Sequence, residues 1–330
     1  GYGRVVSQSA PHYSSEAAAN TTTTYDVLGR PLVVTAPDGN AASYTYSGLT
    51  STVTDANGHT TSSTADAWGR TISVTPQSGP GVSYAYDVLD QMVTATRAGN
   101  TTSLSYDKAG RKVSMSDPDM GSWTYTYDAL GSLKTQTDAR GCVLTMTYDP
   151  LSRMTGKSGA GGSCGPGVSV TYSYDQGTNG KGRRTGMTDA SGSAAWSYDS
   201  RGRMTGETRT FTGVVPGFST TWTYNQADLP KKMTYPDGEE VVTQYSERML
   251  VDSLVGAETY VQSSAYDSAG RLEMRALGNT LTQKYGYYDW DTQGGRLESL
   301  DSGVWNGYIF TSKVQNLVYS YDAVGNIASI

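Results

Sequence analysis

Histidine and cysteine each occur only twice in these 330 residues, and phenylalanine only three times. With so few histidines there is little material for a nucleophilic triad, which needs a placed general base. His12 lies in a Ser/Thr/Ala-rich insertion, and His59 follows the turn Asp55-Ala56-Asn57-Gly58, so both read as surface residues. Two cysteines are too few ligands for zinc. No apolar run approaches the roughly 18 residues of a membrane-spanning helix. The net charge is −6 and no basic stripe exists, which argues against nucleic acid as a partner. No signal peptide and no long amphipathic helix are visible.

Tyrosine is abundant instead, with 25 copies. The imbalance between Tyr and Phe favours amphipathic rings on half-wet sheet faces over an aliphatic core. The dipeptide Tyr-Asp occurs ten times, beginning at Tyr25, Tyr86, Tyr106, Tyr127, Tyr148, Tyr174, Tyr198, Tyr266, Tyr288 and Tyr321. Weaker copies at Tyr46-Ser47, Ala65-Asp66, Tyr224-Asn225 and Tyr245-Ser246 fill the gaps. From Tyr25 to Tyr148 successive copies lie 21, 19, 21, 20, 21 and 21 residues apart, a period that signifies a repeat architecture.

One unit shows what repeats. Val113 and Met115 alternate with Ser114 and Ser116, as in a strand with one apolar face. Asp117-Pro118-Asp119-Met120-Gly121 reverses the chain, and Trp123, Tyr125 and Tyr127 then share one face of a second strand. Each unit is thus a β-hairpin plus a reversal into its neighbour, and the aromatic rows pack as cross-strand pairs. The reversal carries a fuller phrase, Tyr-Asp-x-x-Gly, at Tyr25-Asp26 with Gly29, Tyr106-Asp107 with Gly110, and Tyr127-Asp128 with Gly131. It returns at Tyr198-Asp199 with Gly202, Tyr266-Asp267 with Gly270, and Tyr321-Asp322 with Gly325. The Asp is expected to bond backbone N–H groups as an Asx-turn, and the Gly to take a left-handed conformation. Arg30, Arg111, Arg203 and Arg271 follow such glycines, and their stems are expected to lie over a neighbouring Tyr.

Between Tyr148 and Tyr224 the intervals lengthen to 26, 24 and 26, which predicts turns with extra residues, including the loop Ser158–Gly167. Gly110→Val is expected to cost more than the same change in the Gly161-Gly162 loop. Cys142 follows one turn and Cys164 lies in the loop of the next hairpin, so both a disulfide and two free thiols are open. The carboxylates could suggest a glycosidase pair, but nearly every Asp occupies a repeated turn position. No calcium β-roll or EF-hand pattern is present. Neither catalytic residues nor cofactor or metal sites are therefore expected. The aromatic residues, Trp123 and Trp196 among them, suit a packed ladder better than a carbohydrate-binding surface.

These Tyr-Asp phrases resemble the YD repeats of the Rhs family, which includes bacterial polymorphic toxins, TcC-type toxin-complex subunits and teneurins. The resemblance covers essentially the whole chain, and Asn316–Ile327 is similar to the stretch preceding that family's conserved core. It implies an all-β fold in which tandem hairpins form a long spiralling antiparallel sheet, part of a hollow shell. In bacterial members the shell encloses a C-terminal toxin that an aspartyl site in the core releases. Asp117-Pro118-Asp119-Met120 and Asp149-Pro150-Leu151-Ser152 begin like that core's motifs but lack the Gly, so no protease residue is carried over.

The expected organisation is one continuous repeat region over 1–330, an internal piece of a longer protein. Residues 1–24 form a partial repeat with an insertion over His12–Thr24, 149–223 carry enlarged loops, and 289–330 are irregular last repeats leading toward an absent core. The expected function is a non-enzymatic shell segment of a secreted or cell-surface protein. Its partners would be its own toxin cargo, the remaining shell segments and other toxin-complex or secretion components. The alternative is a cell-surface adhesion or carbohydrate-binding module.

Overall fold

A computed structural model of the chain describes residues 3–165 and 168–330; Pro166 and Gly167 of the predicted loop lie outside the described residues. The described chain is all-β, with a 28-stranded antiparallel sheet, a separate two-stranded sheet and one helix, Trp290–Gln293, of four residues. None of its helices is long and apolar enough to cross a membrane.

The repeating unit forms as the alternation predicts. Strand Lys112–Asp117 pairs antiparallel with Gly121–Tyr127, setting Met115 opposite Trp123. Gly121–Tyr127 then pairs with Leu133–Thr137, setting Tyr125 opposite Gln136. Trp123, Tyr125 and Tyr127 are half-buried, and Ser122, Thr124 and Thr126 are exposed. Because successive side chains point to opposite faces, the hydroxyl residues collect on one side, where Thr126 and Thr135 bond at 2.5 Å. At the last Tyr the register slips by one residue, so Tyr127 faces Leu133 after Thr126 faced Thr135. The same slip recurs at Tyr25, Tyr106, Tyr148 and Tyr198, and a bulge of this kind bends and twists the ribbon at each repeat.

Two compact units divide the chain. The described residues up to Gly81 pack with Thr243–Ile330, and Val82–Val242 form the other unit. Burial is shallow in both. Cys142, Met146, Ala194 and Val261 are the buried apolar residues, and no large described residue is completely enclosed. A single layer leaves its rings half wet, and the tyrosine hydroxyls tolerate that.

Three expectations are corrected. The insertion is a hairpin loop over 10–19, because Asn20–Tyr25 already forms a strand paired with Ser7–Ser9. Between Tyr198 and Tyr224 the extra residues lengthen strands Met204–Phe211 and Val214–Tyr224, not the turn between them. In the Gly161-Gly162 loop both glycines have positive φ, and a Cβ on Gly162 would overlap the Arg140 carbonyl and Gly141 backbone. At Gly110, also at positive φ, the nearest obstacle is the movable end of the Gln91 side chain. The loop is therefore the tighter of the two places.

Candidate functional site

The repeated phrase resolves into a three-residue tie. Asp107 Oδ1 accepts the N–H groups of Ala109 (2.9 Å) and Arg111 (3.0 Å), and Asp107 Oδ2 accepts Arg111 Nε at 2.7 Å. These bonds, the Arg111 backbone first and its side chain second, hold the Asp107 carboxyl below the usual carboxylate range. The guanidinium so positioned lies over Tyr127 of the following strand, 4.7 Å from the ring centroid. The Tyr127 hydroxyl donates back to the carbonyl of Lys112, the residue after Arg111, at 2.7 Å. One turn thus grips the next hairpin twice, by a cation on the ring and a carbonyl on the hydroxyl.

Three other signature turns, at Asp26, Asp199 and Asp267, form the same tie. Asp26 binds Arg30, which lies over Tyr46 at 4.1 Å while the Tyr46 hydroxyl donates to Pro31. Asp199 binds Arg203, which lies 4.6 Å from Tyr224, and Asp267 binds Arg271, 4.3 Å from Tyr287. The hydroxyls of Tyr25, Tyr106, Tyr198, Tyr266 and Tyr321 donate to Val5, Met92, Arg184, Val251 and Leu297. Gly29, Gly110, Gly131, Gly202, Gly270 and Gly325 all have positive φ. Where glycine is missing, Asp90, Ser152, Asp228 and Met249 take the same left-handed conformation.

One copy is misplaced in the motif reading. In Tyr287-Tyr288-Asp289 the ladder position belongs to Tyr287, whose hydroxyl donates to Leu272, and Tyr288 donates to Tyr319 instead. Three ties were missed because their Arg is not four residues after a Tyr-Asp aspartate. Arg4 lies over Tyr25, Arg183 over Tyr198 and Arg296 over Tyr321, at 5.7, 5.5 and 5.7 Å. Each follows a glycine, so Gly-Arg ahead of a strand is the better signal.

In Val82–Val242 the ties join into ion clusters. Arg153 bridges Asp149 (2.7 Å) and Asp175 (2.6 Å) while lying 4.4 Å from the Tyr174 ring. Bonds from the Arg153 side chain, then the Gly182 N–H, hold Asp175 down to about 2. Arg203 likewise spans Asp199 and Asp228, and Arg201 joins Asp228 at 2.8 Å. Cys142 and Cys164 form a disulfide, with Cα atoms 4.9 Å apart, joining a turn to the neighbouring loop. His12 bonds only the Ala10 carbonyl among the described residues, and exposed His59 sits 3.3 Å from Asp55.

The sequence profile described as RHS Repeat matches residues 66–101, 127–163 and 179–215, three stretches each holding an Asp–Arg turn of this kind. The chain carries RHS repeats. No curated protein matches it. Among solved structures, this RHS chain is similar to the crystal structure of TcdB2-TccC3-Cdc42, with TM-score 0.81 and 16% identity over 93% of its length. It is similar to TcdB2-TccC3 with TM-score 0.81, 17% identity and 93% coverage. It is also similar to the Photorhabdus luminescens Tc holotoxin pore, with TM-score 0.80, 16% identity and 93% coverage. At these identities the likeness establishes the fold. The chain spans 18% of each of the two crystal-structure chains and 17% of the pore chain.

Proposed function

We propose that this RHS chain is a stretch of wall in a secreted toxin-complex-type protein, and that the wall encloses a C-terminal toxin cargo. The observation that carries the reading is the tie. Tyr127, Asp107 and Arg111 all bind the next hairpin or the turn that leads to it, and the same roles recur from Arg4 to Tyr321. A signature repeated for cohesion builds a continuous ribbon, and it supports a non-enzymatic role and one repeat region through the chain. The solved structures that pair TcdB2 with TccC3 support other toxin-complex subunits and further wall segments as partners. Secretion fits a chain with a disulfide. A glycan-binding role has less support, since the half-buried rings of Trp123 and Trp196 already direct Nε1 to Met120 and Glu207.

Protease protection of the protein purified from its native source tests the reading. A discrete C-terminal fragment should resist protease until denaturant opens the wall. A fragment digested at the same rate with and without denaturant would exclude enclosure.

A further inference from the structure

Antiparallel succession puts every Tyr-Asp turn on one edge of the ribbon and the alternate turns, such as Ala36–Asn40 and Asp55–His59, on the other. Within the unit made of the first and last repeats, these opposite edges meet. Asn57 Nδ2 donates to Asp322 Oδ2 at 3.0 Å, and Arg296 Nη1 lies 3.5 Å from Asp38 Oδ2. The Asp38 side chain is fully covered there. Alongside, the 10–19 loop sits on late Tyr-Asp turns, with Tyr13 bonded to Arg248 at 3.0 Å and Glu16 bonded to Ser268.

Covering changes exposure in a readable way. Residues 267–270 are half-buried throughout, whereas 108–110 of the equivalent turn are exposed. Pro37 and Asp38 are half-buried, whereas Pro236 and Asp237 of an uncovered turn are exposed. The third turn residue is apolar in copy after copy. At the covered Asp322 turn it is Val324, 39% exposed, and at uncovered turns Leu130 and Leu151 are 76% and 72% exposed. Leu28, Trp68 and Leu89 repeat the pattern, and such a row of apolar side chains marks an interaction edge.

One place on this edge is shaped to receive something. Between the turns beginning at Asp128 and Asp149 lies a groove of about 650 Å³, lined by Asp128, Leu130, Tyr148, Pro150 and Ser152 among others. Asp128 Oδ1 accepts Leu130 and Ser132 N–H groups, each at 2.9 Å. Ser132 stands where other copies have Arg, so among the described residues Asp128 Oδ2 accepts no bond. Asp322 also lacks that Arg, and its Oδ2 accepts Asn326 of its own turn at 2.9 Å together with Asn57 from the opposite edge.

We infer that the Asp128–Asp149 groove docks an alternate-edge turn from another run of RHS hairpins. The visiting tip supplies an Asn or Arg side chain that donates to Asp128 Oδ2, as Asn57 donates to Asp322, and its backbone covers Leu130. The inference rests on the wall reading in one respect, that further RHS hairpins lie beside this stretch. Its occupant follows from the seam already formed in this chain, where one ribbon edge covers the other.

A photoreactive benzophenone amino acid placed at position 130 of the intact native protein, and in parallel at position 150, tests it. Position 124, on an exposed strand, is the control. Irradiation should yield peptides from hairpin turns with flanking strand alternation, several-fold above the control, and Asp128→Ala should lower that yield. Cross-links to sequences without hairpin alternation, or a yield no higher than at position 124, would overturn the inference. Hairpin cross-links in a protein without a protected C-terminal fragment would remove the cargo reading and leave the docking site standing. A protected fragment without such cross-links would do the opposite.

Discussion

Arg111 and Tyr127 are bound to each other through two routes at once: the guanidinium lies 4.7 Å from the ring centroid, and the ring's hydroxyl reaches the carbonyl next to Arg111. The two contacts separate by substitution. Tyr127→Phe keeps the ring under the cation and loses the hydroxyl bond, which is expected to cost about 1 kcal/mol. Arg111→Ala loses the ring contact and the side-chain bond to Asp107, keeps the backbone bond, and should cost more. Urea melts give the order, and equal stability of Tyr127→Phe and wild type would show that the hydroxyl bond contributes nothing.

Met249 holds a turn position that glycine fills elsewhere, at φ 60° and largely exposed. A left-handed residue with a Cβ costs roughly 1–2 kcal/mol, partly offset by the chain entropy that glycine brings. Met249→Gly should therefore raise stability by up to about 1 kcal/mol. A lower melting temperature would mean that the Met249 side chain contributes packing larger than the strain.

Gly162→Val and Gly110→Val compare the two tight places directly. Both introduce a β-branched residue at positive φ, but only at Gly162 does the added Cβ meet backbone. The loop variant should lose more stability, and the reverse order in thermal melts would contradict the geometry.

The disulfide closes a segment of 22 residues, for which loop entropy predicts about 3 kcal/mol. Denatured, unreduced protein should show no titratable thiol, and reduction should lower stability by an amount of that order. Two thiols in an Ellman assay would show the bond absent.

Acid should loosen the ties in a defined window. Asp175 is held down to about 2 by Arg153 and the Gly182 N–H, and Asp322 to about 2 by Asn326 and then Asn57. Unfolded aspartates titrate near about 3.9, so the native state binds fewer protons in between. The stability they contribute is present above about 4 and is lost as pH falls from about 4 towards about 2. Melting temperatures should change little between pH 7 and 5 on this account. An early fall, restored by neither Asp175→Asn nor Asp322→Asn, would place the sensitive groups elsewhere.

The hairpin, its aromatic face and the Asp turn were legible because each is local: Ser122 to Tyr127 alternates, and Asp107 to Arg111 spans one turn. What stayed hidden was either degenerate or distant. Tyr287 and Tyr288 are adjacent, and only the hydroxyl bond to Leu272 decides which one holds the ladder. The bond between Asn57 and Asp322 joins residues 265 apart, where no spacing rule reaches. The left-handed Met249 carries no signal, because tertiary pairing imposes the turn on a residue that disfavours it.

Imaging of the native particle tests the central claim most directly. The wall account predicts a closed hollow particle with density inside it, whose wall is a single-layer ribbon of β-hairpins. An open rod or crescent with nothing enclosed would contradict it.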